Sequence, residues 1–394
     1  MQKELKLLEG HIQDLCPYIH SNRLKAVMDV AEALHKSRDL KGSSLGRNMA
    51  GSAKTKHKIK KVDRLEGNSK LHSELDDIYS SLSKYILMYL KNENAINIVI
   101  DLCYLKDNSD IVMLSAEIAL KGRTLPIYRK AFKANEQRGK SQGFLESLKQ
   151  CLPSDKEVII IMDAGFSEEW LRNIELLNWK WLIRVRGTKS IKLSEKSDWQ
   201  TLENFRKDIA TGVKSYNKCI LYKTHSVECR IVTSFDNSLK RKRPKKLPGY
   251  YNAGKGGHSA SSKEPWILAT NMSSEYESRE IVNIYKKRMQ IEESFRDLKS
   301  HQYGLRARYI KSENLKRWGV KLLIASIVQV TLWIIGVVAY HQGFQKEFQP
   351  NTTKKKVFSY FFLGTLMVQH DKLDLLNINY SNIDQIIKLE LGDL

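Results

Sequence analysis

Nineteen consecutive residues without a charge, Leu322 to Tyr340, constrain the fold of this chain more than any other stretch. A segment that long and apolar either crosses a bilayer or is enclosed by protein. It carries Ser326, Gln329, Thr331 and Gly336 and stands alone in the sequence, so a buried core helix is expected and a membrane span is the alternative. Enclosing such a helix takes a large domain. The chain has 394 residues, enough for two or three structural units, and is 42% hydrophobic and 28% charged, as suits a globular protein. Its 17 Tyr, 11 Phe and 7 Trp exclude wholesale disorder.

Charge narrows the partner. A net charge of +22 opposes compaction unless phosphates neutralise it, which points to a polyanion. The surplus is uneven. Lys41 to Lys70 holds nine Lys/Arg against Asp63 and Glu66, and Lys240 to Lys263 holds eight with no acid, whereas Asp371 to Leu394 is acidic. Cys16, Cys103, Cys151, Cys219 and Cys229 are scattered without a CxxC, which predicts reduced thiols and neither a disulfide framework nor a zinc site. Met1 to Lys6 lacks the apolar run of a signal peptide, so a cytoplasmic location is expected.

Residues 1–92 read as a helical, DNA-binding domain, helix-turn-helix-like. Ser21 is placed to cap a helix with Leu24, Met28, Ala31 and Leu34 on its apolar face. The Gly-containing stretch Lys41 to Arg47 then breaks the pattern, and Leu71, Leu75, Ile78, Leu82, Ile86 and Tyr89 mark a second amphipathic helix. Residues 93–340 read differently. Strands are predicted at Ile96 to Leu105, Ile111 to Leu120, Thr124 to Tyr128, Glu157 to Met162 and Trp179 to Arg186, with helices at Gln137 to Cys151 and Glu168 to Leu177. The order β-β-β-α-β-α-β is that of a ribonuclease-H-like α/β domain, a mixed sheet flanked by helices. A β-rich insertion is expected at about 188–262, with strand-like pieces at Lys218 to Tyr222 and Glu228 to Ser234. A strand at Trp266 to Thr270 then leads to one long helix, Ser278 to Ser300. Residues 341–394 read as a helical C-terminal region.

Two acids sit where strands deliver functional groups. Asp101 interrupts the strand run Ile98 to Leu102, which is costly for a carboxylate without a task or a partner. Asp163 ends the apolar run Val158 to Met162, where ligand sites of α/β sheets lie. If the first and fourth strands are neighbours, the two carboxylates converge; each read alone is equally a satisfied core or turn residue. On the long helix, Tyr285, Arg288, Glu292 and Lys299 fall within an arc of about 60° at about 100° per residue. An Arg288–Glu292 pair accounts for two of the four, not for the row. Three carboxylates without His or Cys suit hard cations, so two Mg²⁺ or Mn²⁺ ions are expected for phosphoryl transfer.

Tyr285-x2-Arg288-x3-Glu292-x6-Lys299 resembles the Y-x2-R-x3-E-x6-K signature of bacterial DDE transposases of the insertion-sequence-four family, without a departure. Met289 to Ser300, Lys263-Glu264-Pro265-Trp266, Asp163-Ala164-Gly165-Phe166 and Trp181 to Gly187 look like the transposon-ten branch. The resemblance runs from about Ile96 to Tyr340. It implies that Asp101, Asp163 and Glu292 are the metal-binding catalytic triad. Tyr285, Arg288 and Lys299 would contact phosphates of the transposon end, and Trp266 would stack on a flipped base, its alternative being an ordinary core tryptophan. Arg184 and Arg186 would touch DNA. Glu293 is the chemical rival of Glu292, which alone shares the row. The resemblance further implies cut-and-paste transposition through end nicking, a hairpin and strand transfer, by a synaptic homodimer acting on nucleoid DNA. The other readings are a metal-dependent nuclease of the same fold, an inactive DNA-binding relic, and a membrane protein using Leu322 to Tyr340.

Overall fold

A computed structural model describes residues 3–88, 95–106, 110–120, 123–136, 139–236, 264–302, 304–353, 355–376 and 385–388. The basic run Lys240 to Lys263, Tyr89, Gln137 and residues 377–384 and 389–394 of the acidic tail lie outside them. Two compact units make up the chain: residues 1–158 with 289–394, and residues 159–288.

The first unit begins with α1 (Lys3–Leu15), α2 (Ser21–Ser37), α3 (Gly42–Asn48), α4 (Thr55–Glu66) and α5 (Ser69–Leu87). The apolar face predicted for α2 is buried: Leu24, Met28, Ala31 and Leu34 are all inaccessible. Its cap is one residue earlier than predicted. Ser21 is the first helical residue, and the His20 ring accepts the Asn22 N–H instead. The stretch Lys41 to Arg47 does not break helix either; it forms α3. Glycine is needed there for packing, since a Cβ on Gly46 would stand 2.5 Å from the Ile59 Cα of α4. α3 and α4 thus form a tight helix pair, and Lys56, His57, Lys60 and Arg64 of α4 are exposed.

Next come β1 (Ile96–Tyr104), β2 (Ile111–Ala119) and β3 (Thr124–Lys133), an antiparallel meander as the sequence predicts, and α6 (Ser141–Cys151). The second unit holds β4 (Val158–Met162), α7 (Glu168–Glu175), β5 (Lys180–Arg184), β6 (Ser190–Lys192), β7 (Gln200–Thr201), α8 (Leu202–Lys207), β8 (Gly212–Leu221), β9 (Val227–Phe235), β10 (Trp266–Thr270) and α9 (Ser278–Lys286). Its strand order is β4-β5-β10-β9-β8-β6-β7. β4 and β5 run parallel, as their continuous apolar sequences require, and the remaining pairs are antiparallel. The strands of the predicted insertion extend this sheet, β9 pairing onto β10 and β8 onto β9. Helices α7 and α9 pack on it. The chain is therefore a mixed α/β protein with a large mixed sheet flanked by helices, consistent with the ribonuclease-H-like fold expected from the sequence.

The chain then returns to the first unit with α10 (Gln290–Lys299), α11 (Leu315–His341), α12 (Gln345–Phe348) and α13 (Tyr360–Gln369). The uncharged segment lies in α11. Among the described residues α11 is the one helix long and apolar enough to cross a membrane, and its apolar stretch is completely buried against α2, α5, α13 and β3. Its polar groups are satisfied inside the core: Ser326 donates to the Leu322 carbonyl at 2.8 Å, and Thr331 pairs with His35 at 2.8 Å. Gly336 and Gly364 let α11 and α13 touch backbone to backbone. A Cβ on Gly336 would stand 1.7 Å from the Tyr360 carbonyl oxygen, so Gly336→Ala is expected to cost about 2–3 kcal/mol, read as a lower urea midpoint. An unchanged midpoint would refute the close crossing.

Candidate active site

In the first unit, Asp101 sits on β1 opposite Ser115 of β2 and is half-buried. Its Oδ1 accepts the Leu102 N–H at 2.8 Å. Helix α10 packs on the same meander, touching β1, β2 and β3. Lys299, at its end, reaches the Tyr104 carbonyl with Nζ at 3.4 Å. Cys103 is held next to both functional groups. Burial pushes its thiol pKa up, the Lys299 ammonium opposes this, and the Asp101 carboxylate adds to it.

Glu292 is exposed on α10, two turns before Lys299. Glu293 is engaged elsewhere: it pairs with Arg296 and, at 3.5 Å, with Arg123. Arg123 also donates to Asp297 at 3.0 Å. Burial still pushes Asp297 up to about 6, with Arg123 opposing. Of the two adjacent glutamates, Glu292 is the more exposed and Glu293 takes part in ion pairs with Arg296 and Arg123.

The single helix predicted from Ser278 to Ser300 is two helices, with the 3₁₀ turn Lys287–Met289 between α9 and α10. The uniform 100° step behind the four-residue arc holds within each helix and not across the tighter turn.

In the second unit, Asp163 follows β4, and its Oδ1 accepts the Gly165 N–H at 2.7 Å. That is the turn-capping bond of the plainer reading, and it leaves the carboxylate half-buried with further acceptor capacity. Tyr285 gathers the other signature residues of this unit. Burial pushes its phenol pKa up, the Arg288 and Arg184 guanidiniums pull it down, and the Asp163 carboxylate pushes it up again. Trp266, half-buried on β10, meets the Tyr285 ring edge-on with centroids 5.2 Å apart. It is no fully enclosed core tryptophan.

Arg184 is buried beside Glu264 at 4.0 Å, and its Nε has no hydrogen-bond partner among the described residues. Burial pushes its pKa down, and Arg186 adds to that. The exposed Arg186 follows it, and both line a cleft of about 320 Å³ with Arg206 and Glu264. One neighbour of Asp163 had no signal in the sequence. Lys189 donates to the Ala164 carbonyl at 3.5 Å; burial lowers its pKa, while Glu168 and Asp163 raise it. It lies where the hydrophobic pattern is weakest, so its place emerges only with the fold.

The donors at Asp101, Asp163 and Glu292 are carboxylate oxygens that keep solvent access, the ligand type of a hard divalent cation. Among the described residues no group of three His, Cys, Asp or Glu side chains is gathered closely enough to hold a metal ion. A comparison with curated proteins finds no match. Residues 106–328 match the transposase DDE domain, a span that contains Asp163, Glu292 and Lys299 and begins just after Asp101. That match covers more than half of the chain, and the chain belongs to the transposase DDE domain family.

Proposed function

We propose that this protein is the cut-and-paste transposase of an insertion sequence of the insertion-sequence-four family, transposon-ten-like branch. The observation that carries the reading is the complete Y-x2-R-x3-E-x6-K spacing from Tyr285 to Lys299 inside the matched transposase domain. Asp101, Asp163 and Glu292 are assigned as the carboxylates that hold two Mg²⁺ or Mn²⁺ ions. Held there, such ions would supply activation of the attacking oxygen and stabilisation of the leaving oxygen. Lys299, Arg288 and Tyr285 position the phosphates of the transposon end, Arg184 and Arg186 bind the adjoining DNA, and Trp266 stacks on a base turned out of the duplex.

Four phosphoryl transfers follow. Water attacks the phosphodiester at the end and releases a 3′-hydroxyl. That hydroxyl attacks the opposite strand, forming a hairpin and freeing the flank. Water reopens the hairpin, and the restored 3′-hydroxyl attacks the target strand. The helical region 1–92, with the exposed cations of α4, is assigned to end binding, and the C-terminal helices 341–394 to the contact of a synaptic homodimer. The work takes place on chromosomal DNA in the cytoplasm.

The test is incubation of the purified protein with linear DNA bearing the element's end and Mg²⁺, resolved on a denaturing gel. A hairpin made by the protein and not by Glu292→Gln supports the reading. Nicks that never become hairpins would overturn the branch assignment. Lys299→Ala is expected to weaken end binding by roughly three- to tenfold and to flatten its salt dependence by about one unit of slope. A loss of cleavage with unchanged affinity would show that Lys299 does not act through a phosphate.

A further inference from the structure

We propose that the cleft between α10 and the 3₁₀ turn Ala307–Tyr309 holds one unstacked deoxynucleotide, its base on the Tyr309 ring and its phosphates on Arg308 and Lys299. This rests on the transposase reading and adds a subsite that the signature residues do not cover. The cleft has a volume of about 530 Å³, within the range of small-ligand sites and suited to a nucleotide rather than a duplex. Every described residue lining it belongs to the first unit, and Glu292 is the one acid among these described residues. Arg296, Lys299 and Arg308 give the remainder three cations.

The walls are fixed to each other. Gly304 approaches the end of α10 so closely that a Cβ would stand 2.2 Å from the Asp297 carbonyl oxygen. The Leu305 N–H donates to that same carbonyl at 2.9 Å, and the Arg306 N–H donates to the Ser300 carbonyl at 3.3 Å. Arg306 itself takes the left-handed conformation, φ 57°, which turns the chain into Ala307–Tyr309. On the outer side, the Leu40 N–H donates to the Leu305 carbonyl at 3.2 Å and Arg38 to the Gln302 carbonyl at 3.0 Å. Arg308 and Tyr309 are thus carried on a braced segment.

Tyr309 is 43% exposed, which is unusual for a ring that neighbouring side chains orient. His301 meets it edge-on at 5.5 Å, and Lys41 stands over the ring at 5.3 Å. An oriented, accessible aromatic among cations is the combination that binds single-stranded nucleic acid: the ring takes a base and the cations take its phosphates. With Glu292 at one end of the cleft, the bound nucleotide is adjacent to the phosphate being cut or joined. It belongs to the transposon end with its flank, or to the target strand.

The experiment places 2-aminopurine singly at each of the three positions on either side of the cleavage point of end DNA, and likewise in target duplex. Fluorescence is read with the full-length protein in metal-free buffer. The base is quenched on Tyr309, so Tyr309→Ala is expected to brighten one position several-fold and weaken binding about tenfold, whereas Tyr309→Phe stays quenched. Brightening in end DNA assigns the subsite to the end, and brightening in target DNA assigns it to the target; either supports the proposal. No brightening at any position, with affinity unchanged within twofold, overturns it. The same preparations are assayed for nicking in Mg²⁺. Normal nicking without brightening removes the subsite and leaves the transposase reading standing, whereas no nicking by the unsubstituted protein removes the reading on which the subsite rests.

Discussion

Glu292→Gln, Asp101→Asn and Asp163→Asn are each expected to reduce nicking of the transposon end by on the order of a thousandfold or more, which corresponds to about 4 kcal/mol of lost transition-state stabilisation. Each substitution keeps the side chain's shape and removes the charge that a hard cation requires. Binding to the end is expected to hold or tighten slightly, because a negative charge is removed near phosphates. Glu293→Gln is the informative control. Glu293 pairs with Arg123 and Arg296, so its loss should cost a modest amount of stability and leave nicking within about threefold. The measurement is single-turnover nicking beside a binding titration for all four variants. Nicking within tenfold of normal by any of the first three would remove that residue from the catalytic set. A collapse with Glu293→Gln and not with Glu292→Gln would exchange the two.

Much of this site is legible from residue order because strands and acids leave local marks. Asp101 and Asp163 stand out as carboxylates at the ends or within strongly apolar runs, and the meander and the buried strand β4 follow from the same runs. The burial of Leu322 to Tyr340 was legible for a similar reason: nineteen uncharged residues outside a membrane have to lie in the core. Features set by tertiary contact were not legible. The glycines of α3 look like helix breakers until Ile59 is seen packed against Gly46. The 3₁₀ turn at Lys287–Met289 has no glycine or proline to announce it. Lys189 comes beside Asp163 through pairing within the second unit, and Tyr309 acquires its cleft through the hydrogen bond from Leu305 to Asp297 and the long-range one from Leu40 to Leu305.

Arg129→Met is expected to be among the most destabilising substitutions in the first unit, costing roughly 3–5 kcal/mol. Arg129 and Glu117 form an ion pair whose side chains are fully buried. Arg129 donates to Ser115 at 3.1 Å, Glu117 accepts from Ser115 and Thr124, and Gln329 of α11 accepts from Arg129. The network reaches α10 through Ser294, whose hydroxyl meets Arg129 at 3.5 Å and whose carbonyl accepts from Gln329 at 3.5 Å. Burial would raise the Glu117 pKa, but Arg129 and the two hydroxyls outweigh it and hold the carboxyl below its usual range. A depressed acid stabilises the fold above its unfolded pKa of about 4.3, and that contribution disappears as pH falls through the folded value. Arg129→Met reverses the sign. The carboxylate, buried without its cation, rises above the unfolded pKa, so the folded state takes up its proton first. The deficit relative to the normal protein should therefore be largest near neutral pH and shrink on acidification towards pH 4 to 5. Replacing both partners, Glu117→Leu with Arg129→Met, should recover part of the loss at neutral pH, because no charge is then stranded in the core. Urea unfolding of the three proteins at pH 7 and pH 5 measures both effects. A deficit that grows on acidification, or a double substitution less stable than Arg129→Met alone, would mean that the pair's charges are not what braces α10 against β3.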